Sequence, residues 1–284
     1  MQIGVIIESF REPLFQALET AASIGIKGVQ MYAVCKDHDL IRMSESERMK
    51  LKQHIEKLGL KVASICGDLG GHGFQDEKGN PERVKLSKQI IDLCVFFGTK
   101  VMTTHIGVVP TRNDSPVFKA MAAALREVGE YAASKGCTLA VETGPEPISR
   151  LIDMIKASGD RGIGINFDPA NLAMVLNVNP ALEVPLAGKY IVHTHAKDGI
   201  NTYPGSAAAA YGMREPDGSL RVFSEQPATY KEVPLGQGQV PWDGYLAALR
   251  KAGFDGFLTI ERECGNDREG DIRQAVDFLK SKLA

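Results

Sequence analysis

The sequence predicts a single (β/α)8 TIM barrel, one domain over residues 1–284, with a long loop after the seventh strand. Three observations predict it. Short apolar, β-rich runs alternate with longer amphipathic stretches eight times, the count that a closed strand–helix barrel requires. Most of the strand runs are continuously apolar, which suits parallel strands covered on both faces. Where an open doubly wound sheet would carry a glycine-rich phosphate loop after its first strand, this chain has IIESFREP.

The elements follow in order. The first strand is IGVII from Ile3, with a helix over 13–24 stopped by Gly25. KGVQMY from Lys27 leads to a helix over 44–58 and Gly59, and KVASIC from Lys61 to a helix over 81–97 and Gly98. KVMTTH from Lys100 precedes a helix over 115–135 and Gly136, and TLAVE from Thr138 a shorter one over 147–156. IGINFD from Ile163 precedes the weakest helical pattern, 179–186. YIVHTH from Tyr190 is the seventh strand and GFLTIE from Gly256 the eighth, with a last helix over 267–282. The eighth unit's helix begins near Trp242, whose expected role is packing, and Gly253 ends it. Asn80–Pro81 and Ser115–Pro116 each place a capping side chain before a proline at the first helical position. Glycines at helix ends supply the left-handed stop.

One stretch breaks the rhythm. From about Asp198 to Val240 the sequence shows no helix or strand, and Gly, Pro, Ser and Ala dominate. After a seventh strand it would lie over the open rim, as a lid or a subunit contact, so a homo-oligomer stays open. Tyr203, Tyr211 and Phe223 within it could stack on a sugar face.

Lys and Arg number 33 against 35 Asp and Glu, so no electrostatic case exists for a nucleic-acid partner. No run is long enough for a bilayer span, and the first residues read as a strand instead of a signal peptide. The five scattered cysteines, with no CxxC pair, argue against a disulfide framework or a zinc-thiolate site and for a reducing cytoplasm.

In this architecture reactive groups sit where strands end. The predicted strands end at Glu8, Asp68, His105, Glu142, Asp168, His195 and Glu261. A single such carboxylate is ordinarily an ion-pair partner. Four neighbouring strands that each deliver one metal-capable group, Glu142, Asp168, His195 and Glu261, form an oxygen-rich set suited to Mn2+, Mg2+ or Co2+. Converging carboxylates repel unless a cation compensates.

VETG, INFDPANL, VHTHAKDG and LTIERE, in that order, resemble the xylose isomerase-like TIM barrel superfamily, and the likeness covers essentially the whole chain. The resemblance implies one divalent metal ion, Mn2+ first and Mg2+, Co2+ or Zn2+ as alternatives, on Glu142, Asp168, His195 and Glu261. It implies a sugar isomerase or epimerase in which Glu142 and Glu261 move the proton next to a carbonyl. His105 and Lys197 would contact substrate oxygens, with Asp68 at the pocket rim. Glu8, His72, Glu146, Arg262 and Glu263 are further rim candidates. His193, two residues before His195, belongs one layer deeper, and Lys197 has Asp198 or Glu263 as an alternative ion-pair partner. Two departures stand out. Asn171 occupies the position where many relatives carry a histidine, and can bind a substrate hydroxyl. Ile148 stands six residues after Glu142, where epimerases carry a further glutamate. A lyase acting on keto-sugar glycosides is the main alternative. An apurinic-site endonuclease is disfavoured by Asn171 and the neutral charge, and a non-catalytic sugar binder by the retained pair of glutamates.

Overall fold

A computed structural model describes residues 1–211 and 226–283. Eight parallel strands close into a barrel: β1 (Gln2–Ile6), β2 (Gly28–Tyr32), β3 (Lys61–Cys66), β4 (Val101–Thr104), β5 (Thr138–Glu142), β6 (Ile163–Phe167), β7 (Ile191–Ala196) and, after two further strands, β10 (Phe257–Ile260). β1 pairs with both β2 and β10, which completes the ring. Helices α1 (Leu14–Ser23), α2 (Glu45–Lys57), α3 (Asn80–Phe97), α4 (Pro116–Ser134), α5 (Ile148–Ala157), α6 (Pro180–Ala187), α8 (Trp242–Lys251) and α9 (Arg268–Leu283) follow the strands. Outward-facing Val29, Ile65, Leu139, Val141 and Leu258 are buried beneath helical Leu18, Ile90, Leu125 and Leu246. Burial on both strand faces explains why these strands read as continuous apolar runs.

The local signals act as the sequence implies, with one exception. Ser44 accepts from the Glu47 amide, and Glu47 returns a carboxylate to the Ser44 amide, a complete capping box for α2. Ser115 caps α4 by accepting from the Phe118 amide at 3.1 Å. Gly98 ends α3 with φ 81°, which a residue with a Cβ adopts only under strain. Asn80 is the exception. It is the first residue of α3, not its cap, because its Nδ2 donates to the Phe74 carbonyl at 3.0 Å.

The expectation that residues 198–240 hold no regular structure is corrected. β8 (Asp198–Tyr203) and β9 (Thr229–Val233) pair antiparallel as a separate two-stranded sheet, and a single turn, α7, spans Ala207–Ala210. The sheet is tied to the barrel rim by two buried carboxylates. Asp198 accepts from the amides of Gly199, Gly236 and Val240 and from Trp242 Nε1 at 3.0–3.2 Å. Gly238 is packed so closely on it that a Cβ there would meet Asp198 Oδ1 at 2.0 Å. Glu232 accepts from Arg262 Nη1 and from the amides of Glu263 and Cys264, the loop that follows β10. Asp198→Ala should lower the unfolding free energy by about 3 kcal/mol or more, because each buried donor left unpaired costs roughly 1–3 kcal/mol. Urea denaturation would check this, and a loss below about 1 kcal/mol would remove Asp198 as the anchor.

Candidate active site and metal centre

Side chains alternate along each strand, so Glu142, Asn166, Asp168, His193, His195, Thr259 and Glu261 all face the barrel axis. The deeper layer is polar and closed. Gln30 Oε1 accepts from Ser64 Oγ at 2.7 Å and lies 3.0 Å from His193 Nε2, which is also 3.0 Å from Thr259 Oγ1. Burial beside His195 holds His193 down to about 3, so it is neutral. It belongs to the floor, one layer below the rim.

Above that floor Glu142, Asp168, His195 and Glu261 come together, with one ligand-type atom from each lying within 4.8 Å of the others, all four buried. His195 Nδ1 is 3.5 Å from Glu142 Oε1, 3.6 Å from Asp168 Oδ2 and 3.2 Å from Glu261 Oε2. Bonds of about 2.1 Å to one cation would place neighbouring ligands about 3.0 Å apart in an octahedron and about 3.4 Å apart in a tetrahedron. Asp168 Oδ1 is occupied by the amides of Ala170 and Asn171 at 2.7 and 3.1 Å, which leaves Oδ2 as the inward atom. Asp168 Oδ2 and His195 Nδ1 are both buried with no hydrogen-bond partner. Two orphaned atoms at the centre of the cluster fit a cation, since a buried polar group is otherwise costly to leave unsatisfied. His195 Nε2 lies 3.1 Å from the Asn166 side-chain amide and 3.4 Å from Gln30 Oε1; with Nδ1 on a metal, Nε2 would carry the proton and donate to Gln30.

The electrostatics agree. Burial raises Asp168, with Glu142 and Glu261 adding to the rise. Burial would also raise Glu261, but Lys197 and His195 outweigh it and hold the carboxyl down to about 2. Glu142 likewise lies well below the usual range despite burial, because His105 and His195 face it. Three carboxylates meet Lys197 and the imidazoles of His105 and His195, both raised well above their usual value by the carboxylates that face them; a divalent ion at His195 Nδ1 would take over the positive charge that a protonated His195 supplies.

The other expected residues divide. His105 Nδ1 is 3.1 Å from Asp68 Oδ2, and its Nε2 is 3.4 Å from Glu142 Oε1. Asn171 lies in a single π-helical turn, Asn171–Val175, and donates to Glu142 Oε1 at 3.3 Å and to the Thr143 carbonyl at 3.0 Å. Lys197 Nζ is 3.0 Å from Glu261 Oε2 and 2.5 Å from Glu263 Oε2. Its neighbour Asp198 turns away to the hairpin, and Arg262 turns from the rim to Glu232 and Asp271. Two pockets flank the cluster. One, of about 190 Å³, is lined by Asp68, His72, His105, Glu142, Glu146 and Tyr211 among others. The other, of about 300 Å³, is lined by Glu8, Tyr32, Cys35, Glu261 and Glu263 among others. Tyr203 is exposed on the hairpin, and Phe223 lies outside the described residues.

Gln30 and Asn166 escape a reading confined to strand ends, yet Asn166 Nδ2 donates to Glu142 Oε2 at 3.1 Å. Their signal is a lone polar residue inside an apolar strand, GVQMY and IGINF. Ile148 is fully buried in α5, while Glu146, two residues earlier, faces the pocket and is raised by burial to about 7.

Lys197→Met removes the cation beside Glu261. In chelated protein it should cost about 3 kcal/mol of stability, the usual order for breaking a buried ion pair. At saturating divalent ion the loss should shrink, because the ion compensates Glu261 in its place. Denaturant titration under both conditions checks this, and an unchanged midpoint in both would contradict it.

A family model described as xylose isomerase-like TIM barrel matches residues 18–282. L-ribulose-5-phosphate 3-epimerase UlaE from Escherichia coli O157:H7 (strain EC4115 / EHEC) is 23% identical, covering 95% of this chain and 89% of the relative. The xylose isomerase domain protein from Planctomyces limnophilus superposes with a TM-score of 0.75 at 25% identity, over 93% of this chain and 90% of the other. A xylose isomerase-like TIM barrel protein from Mycobacterium smegmatis, solved in complex with magnesium, superposes with a TM-score of 0.74 at 17% identity, over 100% and 98% of the two chains.

Proposed function

The chain belongs to the xylose isomerase-like TIM barrel family, and from that premise we propose that it is a divalent-metal-dependent sugar isomerase or epimerase, working as one barrel domain over residues 1–284. The observation that carries the reading is the convergence of Glu142 and Glu261 with Asp168 and His195, two of whose polar atoms are buried and unpartnered. The similarity to an L-ribulose-5-phosphate 3-epimerase over nearly the whole chain supports the reaction class.

Glu142 and Glu261 act on the carbon beside a ketose carbonyl, one removing its proton and the other returning one from the opposite face. Both are ionised at neutral pH. Lys197 faces Glu261 and holds it below the usual carboxylate range against the burial that would raise it. A carboxylate held so low is a weak base, so the substrate carbon must be made more acidic. Glu142, Asp168, His195 and Glu261 would hold a divalent ion, Mn2+ the first expectation for such an oxygen-rich set, and bound there it would supply that by polarising the carbonyl. His105, held by Asp68, donates to substrate oxygens, and Asn171, whose –NH2 is committed to Glu142 and Thr143, accepts from substrate hydroxyls through Oδ1 at the smaller pocket. Lys197 serves the Glu261 side in the same way.

Incubation of metal-loaded protein with ketoses in deuterated water tests this. Deuterium should appear at the carbon next to the carbonyl, read by proton NMR. Free ketoses, ketose phosphates and 3-keto-glycosides distinguish isomerisation from elimination of a glycosidic substituent. No exchange with any of these substrates would overturn the proposal.

A further inference from the structure

We propose that Glu8, Cys35 and His38 form a second cation site, for a borderline-soft divalent ion of the Zn2+ type, separate from the Glu142–Asp168–His195–Glu261 centre. The ligand-type atoms of the three residues lie within 4.8 Å of one another. Glu8 follows β1, in a 3-10 turn over Ile7–Phe10. Cys35 and His38 come from the loop after β2, folded back on itself by a bridge between Val34 and Asp39 and by hydrogen bonds from Cys35 N to His38 O and from Leu40 N to Ala33 O. Such a tight turn presents two side chains, separated by two residues, to one point.

The hydrogen bonds fix which atoms are available. His38 Nε2 is 2.9 Å from the Tyr32 carbonyl, which can only accept, so the proton resides on Nε2. Nδ1 is therefore left with its lone pair, 3.3 Å from Cys35 Sγ. A zinc ion with bonds of about 2.1 Å to nitrogen and 2.3 Å to sulfur would hold those atoms about 3.6 Å apart. Glu8 Oε1 accepts from the Tyr32 amide at 3.0 Å and lies 3.3 Å from the protonated His38 Nε2, whereas Glu8 Oε2 is buried without a hydrogen-bond partner. One carboxylate oxygen is thus shared between the Tyr32 amide and His38 Nε2, and the other is unused. A histidine whose second nitrogen donates to a backbone carbonyl is the arrangement that orients an imidazole for a metal.

Charge favours the same reading. Burial pushes the Cys35 thiol up and Glu8 to about 7 when nothing cationic is present. A divalent ion with one thiolate and one carboxylate makes a neutral group, which this half-buried position tolerates. Three protein ligands leave a fourth position open toward the pocket of about 300 Å³ that Glu261 and Glu263 also line. Zinc needs no second cysteine here, because Glu8, distant in sequence, takes that place.

Cobalt is the probe, since the other centre has no sulfur ligand. Protein stripped with a chelator and titrated with Co2+ should develop a thiolate-to-cobalt charge-transfer band in the near ultraviolet, saturating at one ion per chain, and Zn2+ should bleach it. The band should vanish in Cys35→Ser, weaken in His38→Ala and persist in Asp168→Asn. In the wild-type chain, Zn2+ should also protect Cys35 from iodoacetamide while exposed Cys264 continues to react, as read by mass spectrometry. This second readout needs no variant to fold. Absence of the band with cobalt in clear excess, its survival in Cys35→Ser, or equal alkylation of Cys35 with and without zinc would each overturn the site.

Discussion

Glu142→Gln and Glu261→Gln should each lower kcat for epimerisation on the order of a thousandfold, within the range that positioned acid–base groups contribute, while the protein stays folded. Retention of the fold follows from the surroundings of Glu142. Its Oε1 faces His105, His195 and Asn171, and one amide oxygen can take that place. Its Oε2 accepts from Asn166, whose own Oδ1 is buried and unpartnered. An Asn166 amide turned end for end would accept from the new –NH2 group and leave its own –NH2 where Oδ1 now has no partner, a loss of roughly 1–3 kcal/mol that a folded chain can absorb. If the two glutamates work on opposite faces, each variant should exchange solvent deuterium into one epimer only and interconvert neither. Steady-state rates with circular dichroism, and NMR on each epimer separately, check these outcomes. Activity within tenfold of wild type in either variant would sink the two-carboxylate mechanism; a tenfold change is only about 1.4 kcal/mol in barrier height.

Removal of the divalent ion should abolish turnover reversibly and lower the melting temperature by about 5 °C. At a free ion concentration a hundredfold above Kd, binding to the folded state alone contributes about 2.7 kcal/mol, and in a chain of this size each kcal/mol shifts the midpoint by roughly 2 °C. The gain comes from Asp168 Oδ2 and His195 Nδ1, which have no other partner, and from relief of three converging carboxylates. Calorimetry of dialysed protein with and without Mn2+ checks it. Asp168→Asn should erase the Mn2+ shift without touching a zinc effect at Glu8, Cys35 and His38. A melting temperature indifferent to Mn2+, with activity indifferent to chelator, would contradict the centre.

Much of this arrangement is legible from residue order. Strand 3 and strand 5 span the residues that the apolar runs mark, because a parallel strand buried on both faces must be apolar from end to end. The clustered groups stand out because each closes a different strand, and the barrel geometry brings strand ends to one rim. What escapes is non-local. DGINTY and TYKEV are half-exposed and polar, and they pair across more than twenty intervening residues, so neither segment carries a strand pattern by itself. Lys197 could face Asp198 or Glu263 by sequence. The fold pairs it with Glu261 as well as Glu263, because Asp198 is already saturated by four donors. Gln30 and Asn166 become meaningful only when strands from opposite parts of the chain face each other across the axis. The triad of Glu8, Cys35 and His38 is invisible to cysteine spacing, since one of its members comes from a different βα unit.

The anchoring of the β8–β9 hairpin has an evolutionary corollary. Asp198 and Glu232 clamp both strands of the hairpin to the rim, so changes of length between Tyr203 and Thr229 would leave that stem in place. Descendants could lengthen, shorten or replace that span without moving the side chains gathered at the strand ends. Variation would then be concentrated in the part of the sequence where the barrel code says least.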